Sequence, residues 1–164
     1  MGIEFNANEI LQIAERIENN GALFYRLAAD QCAGARERDL FLGLATSEDG
    51  HKETFAGMRK ELSEEERAPL TFDPEGETAL YLQAFADGSV FDLNADPVTL
   101  LGRDKTPSGV IQTALGLEKD SIVFYLGIRD MVSERAGRNR VEAIIEEEMR
   151  HVRALGLSLA SLRA

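Results

Sequence analysis

The chain has 164 residues and a formal net charge of −11 at pH 7, a length that suits one compact domain over residues 1–164. Apolar residues make up 44% of the sequence and charged residues 29%, as in soluble globular proteins. The acidic balance, without a cluster of lysine and arginine, argues against a nucleic-acid partner. No apolar run approaches the roughly 20 residues that span a bilayer, so no membrane association is expected.

The beginning of the chain and its cysteine content indicate a cytoplasmic protein. Residues 1–10 contain neither the basic region nor the apolar segment of a secretory signal. Cys32 is the only cysteine, so neither a disulfide framework nor a Cys-x-x-Cys metal site can form within the chain. Alanine, leucine, glutamate and arginine dominate the periodic stretches, which predicts an all-α fold.

Two long amphipathic helices are predicted in the first part of the chain. The first is expected to begin after the Asn6-Ala7-Asn8 cluster, where asparagine can cap a helix, and to run to about Gly34. The second is expected to begin near Arg38 or Asp39 and to end near Leu62. Because their connection is short, they form an antiparallel hairpin over residues 8–62. The predicted inward positions are Leu11, Ala14, Glu18, Gly21, Tyr25 and Cys32, followed by Phe41, Leu44, Glu48, His51, Phe55, Met58 and Leu62.

Residues 63–106 break the helical periodicity and are predicted to form a crossover. Pro69, Pro74 and Pro97 interrupt acidic and glycine-containing stretches that cannot continue a long helix. Within the crossover, residues 77–86 are predicted to form a short helix. A connection of this length can carry the chain back along the bundle, so that a second hairpin lies beside the first.

A second hairpin is predicted over residues 107–162. Its first helix opens at Pro107-Ser108, with proline at an early helical position, and a link around Gly137 precedes its second helix. The predicted inward positions are Ile111, Ala114, Leu115, Glu118, Ile122, Tyr125 and Val132, followed by Val141, Ile144, Glu148, His151, Leu155 and Leu162. Those of the last helix lie one hundred positions after inward residues of the second helix, which indicates a duplicated hairpin.

The same repeat relates the polar residues of the predicted interior. Each of four residues in the first hairpin recurs one hundred positions later, namely Glu18 as Glu118, Tyr25 as Tyr125, Glu48 as Glu148 and His51 as His151. Buried carboxylates repel one another and are costly to desolvate, so an interior that holds four of them requires a bound cation. Oxygen ligands with one nitrogen per ion favour iron(II) or manganese(II) over a structural zinc site.

The number of ligands suits two metal ions. Glu48-Asp49-Gly50-His51 and Glu148-Met149-Arg150-His151 each place a carboxylate and an imidazole on one side of a helix, and Glu18 and Glu118 add one carboxylate per ion. Four glutamates balance the charge of two divalent cations. The glutamate of each Glu-x-x-His segment is predicted to bridge both ions, whereas the sequence leaves open which histidine serves which ion.

This ligand set resembles that of the ferritin-like superfamily, and within it the rubrerythrin-type di-iron carboxylate proteins, over residues 8–62 and 107–162. The resemblance implies a ferritin-like four-helix bundle that holds two iron ions. We call Glu18 and Glu118 the single glutamates, because they lie outside the Glu-x-x-His segments. A tyrosine seven residues after each single glutamate also occurs in that family. The resemblance therefore implies that Tyr25 and Tyr125 hydrogen-bond ligand carboxylates and take part in the chemistry of the site.

Two features depart from the rubrerythrin-like peroxidases. The sequence ends at Ala164 without their Cys-x-x-Cys iron domain, so electrons are expected to come from a separate donor protein. Ser121 stands where those peroxidases carry an additional carboxylate. Bundles of this kind often pair, and a homodimer is expected.

The preferred hypothesis is a di-iron oxidoreductase that reacts with hydrogen peroxide or dioxygen, as a peroxidase or a ferroxidase. One alternative is a protein that stores or delivers iron without turnover. Another is a metal-free helical bundle that serves as an interaction module. Four further glutamates are interpreted as surface charges, namely Glu15, Glu53, Glu146 and Glu147.

Overall fold

A computed structural model describes residues 6–68, 80–82, 84, 97–102 and 104–162, and this part of the chain contains four long helices. These helices are α1 (Ala7–Gln31), α2 (Ala35–Glu61), α3 (Pro107–Arg129) and α4 (Arg138–Ser161), and a short helix at Pro97–Leu100 precedes α3. The most extensive helix contacts join α1 with α2 and α3 with α4. The predicted all-α bundle of two antiparallel hairpins is therefore confirmed in this part of the chain.

Local sequence signals set the ends of the helices. The Asn6 side chain accepts a hydrogen bond from the Glu9 backbone N–H at 2.9 Å, and the Glu9 carboxylate accepts one from the Asn6 backbone N–H at 3.0 Å. This capping box fixes the start of α1. Thr106 caps α3 in front of Pro107. Gly137 has a φ of +106°, a left-handed conformation that favours glycine, where the chain turns into α4.

Two predicted helix ends differ from those in the structure, and a third predicted helix is only partly described. The helix α1 ends at Gln31, three residues before its predicted end near Gly34. The helix α2 begins at Ala35, one turn before its predicted start near Arg38. Residues 80–82 and 84 are helical and fall within the short helix predicted over residues 77–86, whose remainder lies outside the described residues. No described helix is long and apolar enough to cross a membrane. The organisation as one domain stays a prediction.

The predicted inward positions are buried or half-buried, with the exception of Leu162. That prediction is wrong, because Leu162 is 41% exposed at the C-cap of α4. The equivalent Leu62 is only 6% exposed. After Leu62 the chain folds back, and the Arg67 guanidinium donates to the carbonyl oxygens of Leu62 and Arg59. The burial of position 62 therefore depends on the turn that follows the helix as well as on the helical periodicity.

Apolar side chains form two clusters, and in each long helix the predicted metal ligands lie between them. One cluster includes Ile10, Leu11, Ala14, Phe55, Met58, Phe124, Ile128, Val141 and Ile144. The other includes Phe24, Ala28, Phe41, Leu44, Val110, Ile111, Ala114 and Leu155. Burial of these side chains stabilises the bundle and keeps bulk water away from the polar residues at its centre.

Candidate metal centre

The six predicted metal ligands meet in the interior of the bundle. Each side chain comes from the middle of a long helix, and the six residues are between 0% and 8% exposed: Glu18, Glu48, His51, Glu118, Glu148 and His151. Burial of this many ionisable groups is unusual, because an isolated charge is expensive to remove from water. The apolar residues on either side hold them there.

The ligand atoms converge in two overlapping groups. The first group consists of Glu18, Glu48, His51 and Glu148, and the second of Glu48, Glu118, Glu148 and His151. Within each group, one ligand atom per residue lies within 4.8 Å of all the others. Glu48 and Glu148 belong to both groups, whereas each histidine and each single glutamate belongs to one. The geometry thus pairs His51 with Glu18 and His151 with Glu118, a pairing that the sequence left open.

Glu148 lies between the two histidines. Its Oε1 is 3.0 Å from His51 Nδ1, and its Oε2 is 3.1 Å from His151 Nδ1. The two imidazole rings are stacked at an angle of 22°, with their centroids 5.7 Å apart. Both histidines therefore direct Nδ1 towards the carboxylates and Nε2 away from them.

Two tyrosines link the hairpins through the single glutamates. The Tyr25 hydroxyl on α1 donates to Glu118 Oε1 on α3, and the Tyr125 hydroxyl on α3 donates to Glu18 Oε1 on α1. Burial and the surrounding carboxylates raise the pKa of both tyrosines, so the hydroxyls keep their protons and act as donors. Each single glutamate is thereby held by the opposite hairpin.

In the metal-free protein, three carboxylates of the cluster have shifted pKa values. Burial, followed by repulsion from Glu18, raises the pKa of Glu48 well above its ordinary value. Burial and the hydrogen bond with Glu148 raise the pKa of Glu118 to about 8. For Glu148, burial opposes ionisation, but hydrogen bonds with Glu118 and the two histidines lower its pKa. Glu148 therefore ionises more readily than Glu48 and Glu118.

The pKa values of the two histidines are raised, whereas burial alone would lower them. Burial lowers the pKa of His51, but the adjacent carboxylates of Glu148 and Glu18 outweigh it and raise the value to about 11. The corresponding groups around His151 raise its pKa to about 9. Both imidazoles are therefore protonated at neutral pH in the metal-free protein, and cation binding must release protons.

Several buried atoms of the cluster suit a metal ion. Glu18 Oε2, Glu48 Oε1, His51 Nδ1 and Glu148 Oε1 make no well-directed hydrogen bond to any residue that the structure describes, although each lies within 3.5 Å of an oxygen or nitrogen of the cluster. An unsatisfied buried polar atom costs about 1–3 kcal/mol. All four atoms belong to residues of the converging groups, and carboxylate oxygen with imidazole nitrogen is a donor set for divalent iron or manganese. The residues present therefore fit the predicted pair of metal ions.

Glu147 is a contact of the centre that sequence reasoning missed. It was interpreted as a solvated surface charge, and its side chain is 41% exposed, yet its Oε2 lies 2.9 Å from His51 Nε2. At the equivalent position in the first hairpin, Ser47 Oγ lies 3.1 Å from His151 Nε2. Both residues precede a shared glutamate, which is the only sequence signal that would have drawn attention to them.

A pocket of about 480 Å³ opens beside these contacts, between α2 and α4. Its lining is mostly small or polar and consists of Thr46, Ser47, Gly50, His51, Thr54, Arg140, Ala143, Ile144 and Glu147.

On another side of the centre, Gly21 lies so close to Glu48 that an added Cβ atom would be 3.0 Å from Glu48 Oε2. Glycine at that position allows α1 to approach a shared glutamate.

This fold and this buried cluster define a helical carboxylate–histidine protein suited to binding metal. The rubrerythrin family model matches residues 9–157, so the chain belongs to the rubrerythrin family. Its structure is also similar to that of a ferritin-like diiron-carboxylate protein from Thermotoga maritima, at 26% identity, a TM-score of 0.75 and 96% coverage of each chain. No curated protein sequence matches the chain significantly. The resemblance and the ferritin-like fold predicted from the sequence are confirmed.

Proposed function

We propose that this protein is a di-iron oxidoreductase that uses hydrogen peroxide or dioxygen as its oxidant. The observation that carries the proposal is the pair of overlapping ligand groups, which share Glu48 and Glu148 deep in the bundle. Two shared carboxylates suit a pair of neighbouring cations, because their negative charges would offset the repulsion between the ions. Membership of the rubrerythrin family supports the same reading.

Each ligand group would hold one ion. Glu18 and His51 would hold the ion at what we call the first ion position, and Glu118 and His151 would hold the ion at the second. The shared glutamates would contribute to both positions. Bound iron would supply the electrons that reduce the oxidant. Manganese remains compatible with the same donors.

The residues around the ligands would orient them and control access. Tyr25 and Tyr125 hold Glu118 and Glu18 by hydrogen bonds, which limits the positions of these two carboxylates. The two apolar clusters lie on either side of the ligands along the helices and exclude bulk water from those two sides. The pocket beside His51 offers hydroxyl groups along its wall, so a small polar oxidant can approach the centre from that side.

Further partners belong to the proposal. We further propose that electrons come from a separate donor protein. A homodimer and a cytoplasmic location complete the proposal.

Anaerobic loading with iron(II) tests the function. Iron per chain is measured in the natural protein, in Glu48→Gln/Glu148→Gln, and in the control Glu53→Gln/Glu146→Gln, which removes two exposed carboxylates from the same two helices. The loaded samples are then mixed with peroxide or with air, and oxidation is followed by stopped-flow absorption. Circular dichroism checks that the variants remain helical.

The possible outcomes separate the proposed function from its alternatives. About two irons in the natural protein and the control, their loss in Glu48→Gln/Glu148→Gln, and rapid oxidation by peroxide or air support a di-iron oxidoreductase. Iron binding without rapid oxidation, or many irons per chain, would favour delivery or storage instead. If the natural protein binds no iron tightly, the metal function is wrong and a helical interaction module remains.

A further inference from the structure

The outer nitrogens of the two histidines contact chemically different residues. His51 Nε2 lies 2.9 Å from the carboxylate oxygen of Glu147, whereas His151 Nε2 lies 3.1 Å from the hydroxyl oxygen of Ser47. Ser47 and Glu147 are one hundred positions apart, and each precedes a shared glutamate. The two halves of the centre therefore have the same types of ligand but differ in the residue that contacts each histidine Nε2 atom.

This difference affects how firmly each imidazole is held. The Nδ1 atoms of both histidines face the carboxylates of the ligand groups. For His51, a carboxylate also lies at Nε2, and an ionised carboxylate only accepts hydrogen bonds, so Nε2 must carry the proton. The Ser47 hydroxyl can donate or accept, so it does not select one tautomer of His151.

We propose that Glu147 is a positioning residue that accepts the Nε2–H of His51 and makes the first ion position the tighter of the two. The inference rests on the proposed metal function. A carboxylate behind a ligating histidine fixes the ring and increases the basicity of the metal-binding nitrogen, and its loss typically weakens metal binding about 10- to 100-fold. A hydrogen bond to an ionised acceptor is about twice as strong as one between neutral groups. The neutral Ser47 therefore leaves the second ion position weaker.

The position of Glu147 makes it suitable for substitution. Its side chain is 41% exposed on the wall of the pocket, and its other carboxylate oxygen lies 3.5 Å from the Arg150 guanidinium. Shortening this side chain removes the contact with His51 without leaving a cavity in either apolar cluster. A change in metal affinity would therefore report on the histidine rather than on a loss of core packing.

Anaerobic titration with cobalt(II), followed by calorimetry and visible absorption, tests the proposal. Glu147→Ser removes the carboxylate beside His51 and places serine at both equivalent positions, and Glu147→Gln keeps an acceptor without the charge. Glu146→Ser, at the neighbouring exposed position, controls for the loss of one negative charge. We expect two binding steps in the natural protein and a loss of about tenfold or more in the tighter step for Glu147→Ser. Glu147→Gln should recover part of that loss, and Glu146→Ser should stay within about twofold of the natural protein.

Nuclear magnetic resonance of the zinc(II)-loaded protein provides a second readout. The Nε2–H proton of His51 should exchange slowly with water in the natural protein and in Glu147→Gln, and rapidly in Glu147→Ser. Two equal cobalt affinities in the natural protein, or identical titrations of Glu147→Ser and Glu146→Ser, would overturn this inference and leave the metal function in place. Absence of any cobalt binding to the natural protein would instead refute the metal function itself.

Discussion

Addition of one methyl group at Gly21 tests how tightly the shared carboxylate of Glu48 is packed. An alanine Cβ at this position would lie 3.0 Å from Glu48 Oε2 and 3.4 Å from Glu48 Cγ. Contacts this short require the neighbouring side chain to move by a few tenths of an ångström. Because Glu48 belongs to both ligand groups, its displacement should disturb both ion positions.

Gly43 provides a matched control for the helical effect of the substitution. It lies in α2, and a Cβ atom there would meet no described atom within 4 Å outside its own helix. Replacement of glycine by alanine inside a helix stabilises it by about 1 kcal/mol. We expect that full gain for Gly43→Ala, which corresponds to an increase in Tm of roughly 2–4 °C for a protein of this size.

At Gly21 the same helical gain is opposed by the contact with Glu48. Overpacking of a filled interior typically costs about 1–3 kcal/mol, so Gly21→Ala should range from neutral to about 2 kcal/mol less stable than the natural protein. The equivalent residue in the second hairpin is Ser121, which is buried and donates its hydroxyl to the Leu117 carbonyl oxygen at 3.1 Å. The second hairpin thus already accommodates a Cβ atom at this position.

Urea unfolding of the metal-free variants, together with cobalt(II) titration, measures both effects. Gly43→Ala should be more stable than the natural protein and should bind cobalt as the natural protein does. Gly21→Ala should lack the gain in stability and should bind cobalt more weakly at both positions. Equal stabilisation by the two substitutions, with unchanged cobalt binding, would refute the reasoning, since Glu48 would then have room to move.

Three further predictions concern the tyrosines, the metal and pH. Tyr25→Phe leaves Glu118 Oε1 without its hydrogen-bond donor and should lower the free energy of unfolding, measured in urea, by about 1–3 kcal/mol. Tyr125→Phe should have a similar effect through Glu18. A negligible effect of both substitutions would contradict these two hydrogen bonds. Manganese(II) at about 100 times the Kd of an ion position should raise the free energy of unfolding by about 2.7 kcal/mol for each position that it fills. A chelator should reverse this gain, and Glu48→Gln/Glu148→Gln should lack it. The pKa of Glu118 is raised from 4.5 to about 8, so the folded metal-free protein binds more protons than the unfolded chain between these values. Its stability should therefore fall as pH rises through this range, and Glu118→Gln should flatten the profile; a rise in stability with pH would contradict the sign.

Helical periodicity was sufficient to predict which side chains face the interior. Residues three and four positions apart share one side of a helix, so Glu48 and His51 had to point the same way. The hundred-residue repeat then predicted the matching pair in the second hairpin. Periodicity failed at Leu162, because burial at a helix end depends on what covers it.

Glu147 shows the limit of reasoning from one helix at a time. Adjacent residues on a helix point about 100° apart, so a residue beside the inward-facing Glu148 lies at the border between interior and surface. Whether such a side chain is solvated depends on the distance and rotation of the neighbouring helix. Here α2 brings His51 within 2.9 Å of it, which no pattern in α4 alone encodes.

The sequence by itself determined the bundle of two hairpins, the set of six candidate ligands and the inward position of the two tyrosines, because each follows from spacing along a helix. The contact between the tyrosines and the ligand carboxylates was implied by the family resemblance. Only the tertiary structure decided which groups meet across the bundle. It paired His51 with Glu18, directed each tyrosine to the glutamate of the opposite hairpin, and placed unlike partners behind the two histidines. These contacts depend on the relative rotation and offset of packed helices, which the interlocking of all their side chains sets together.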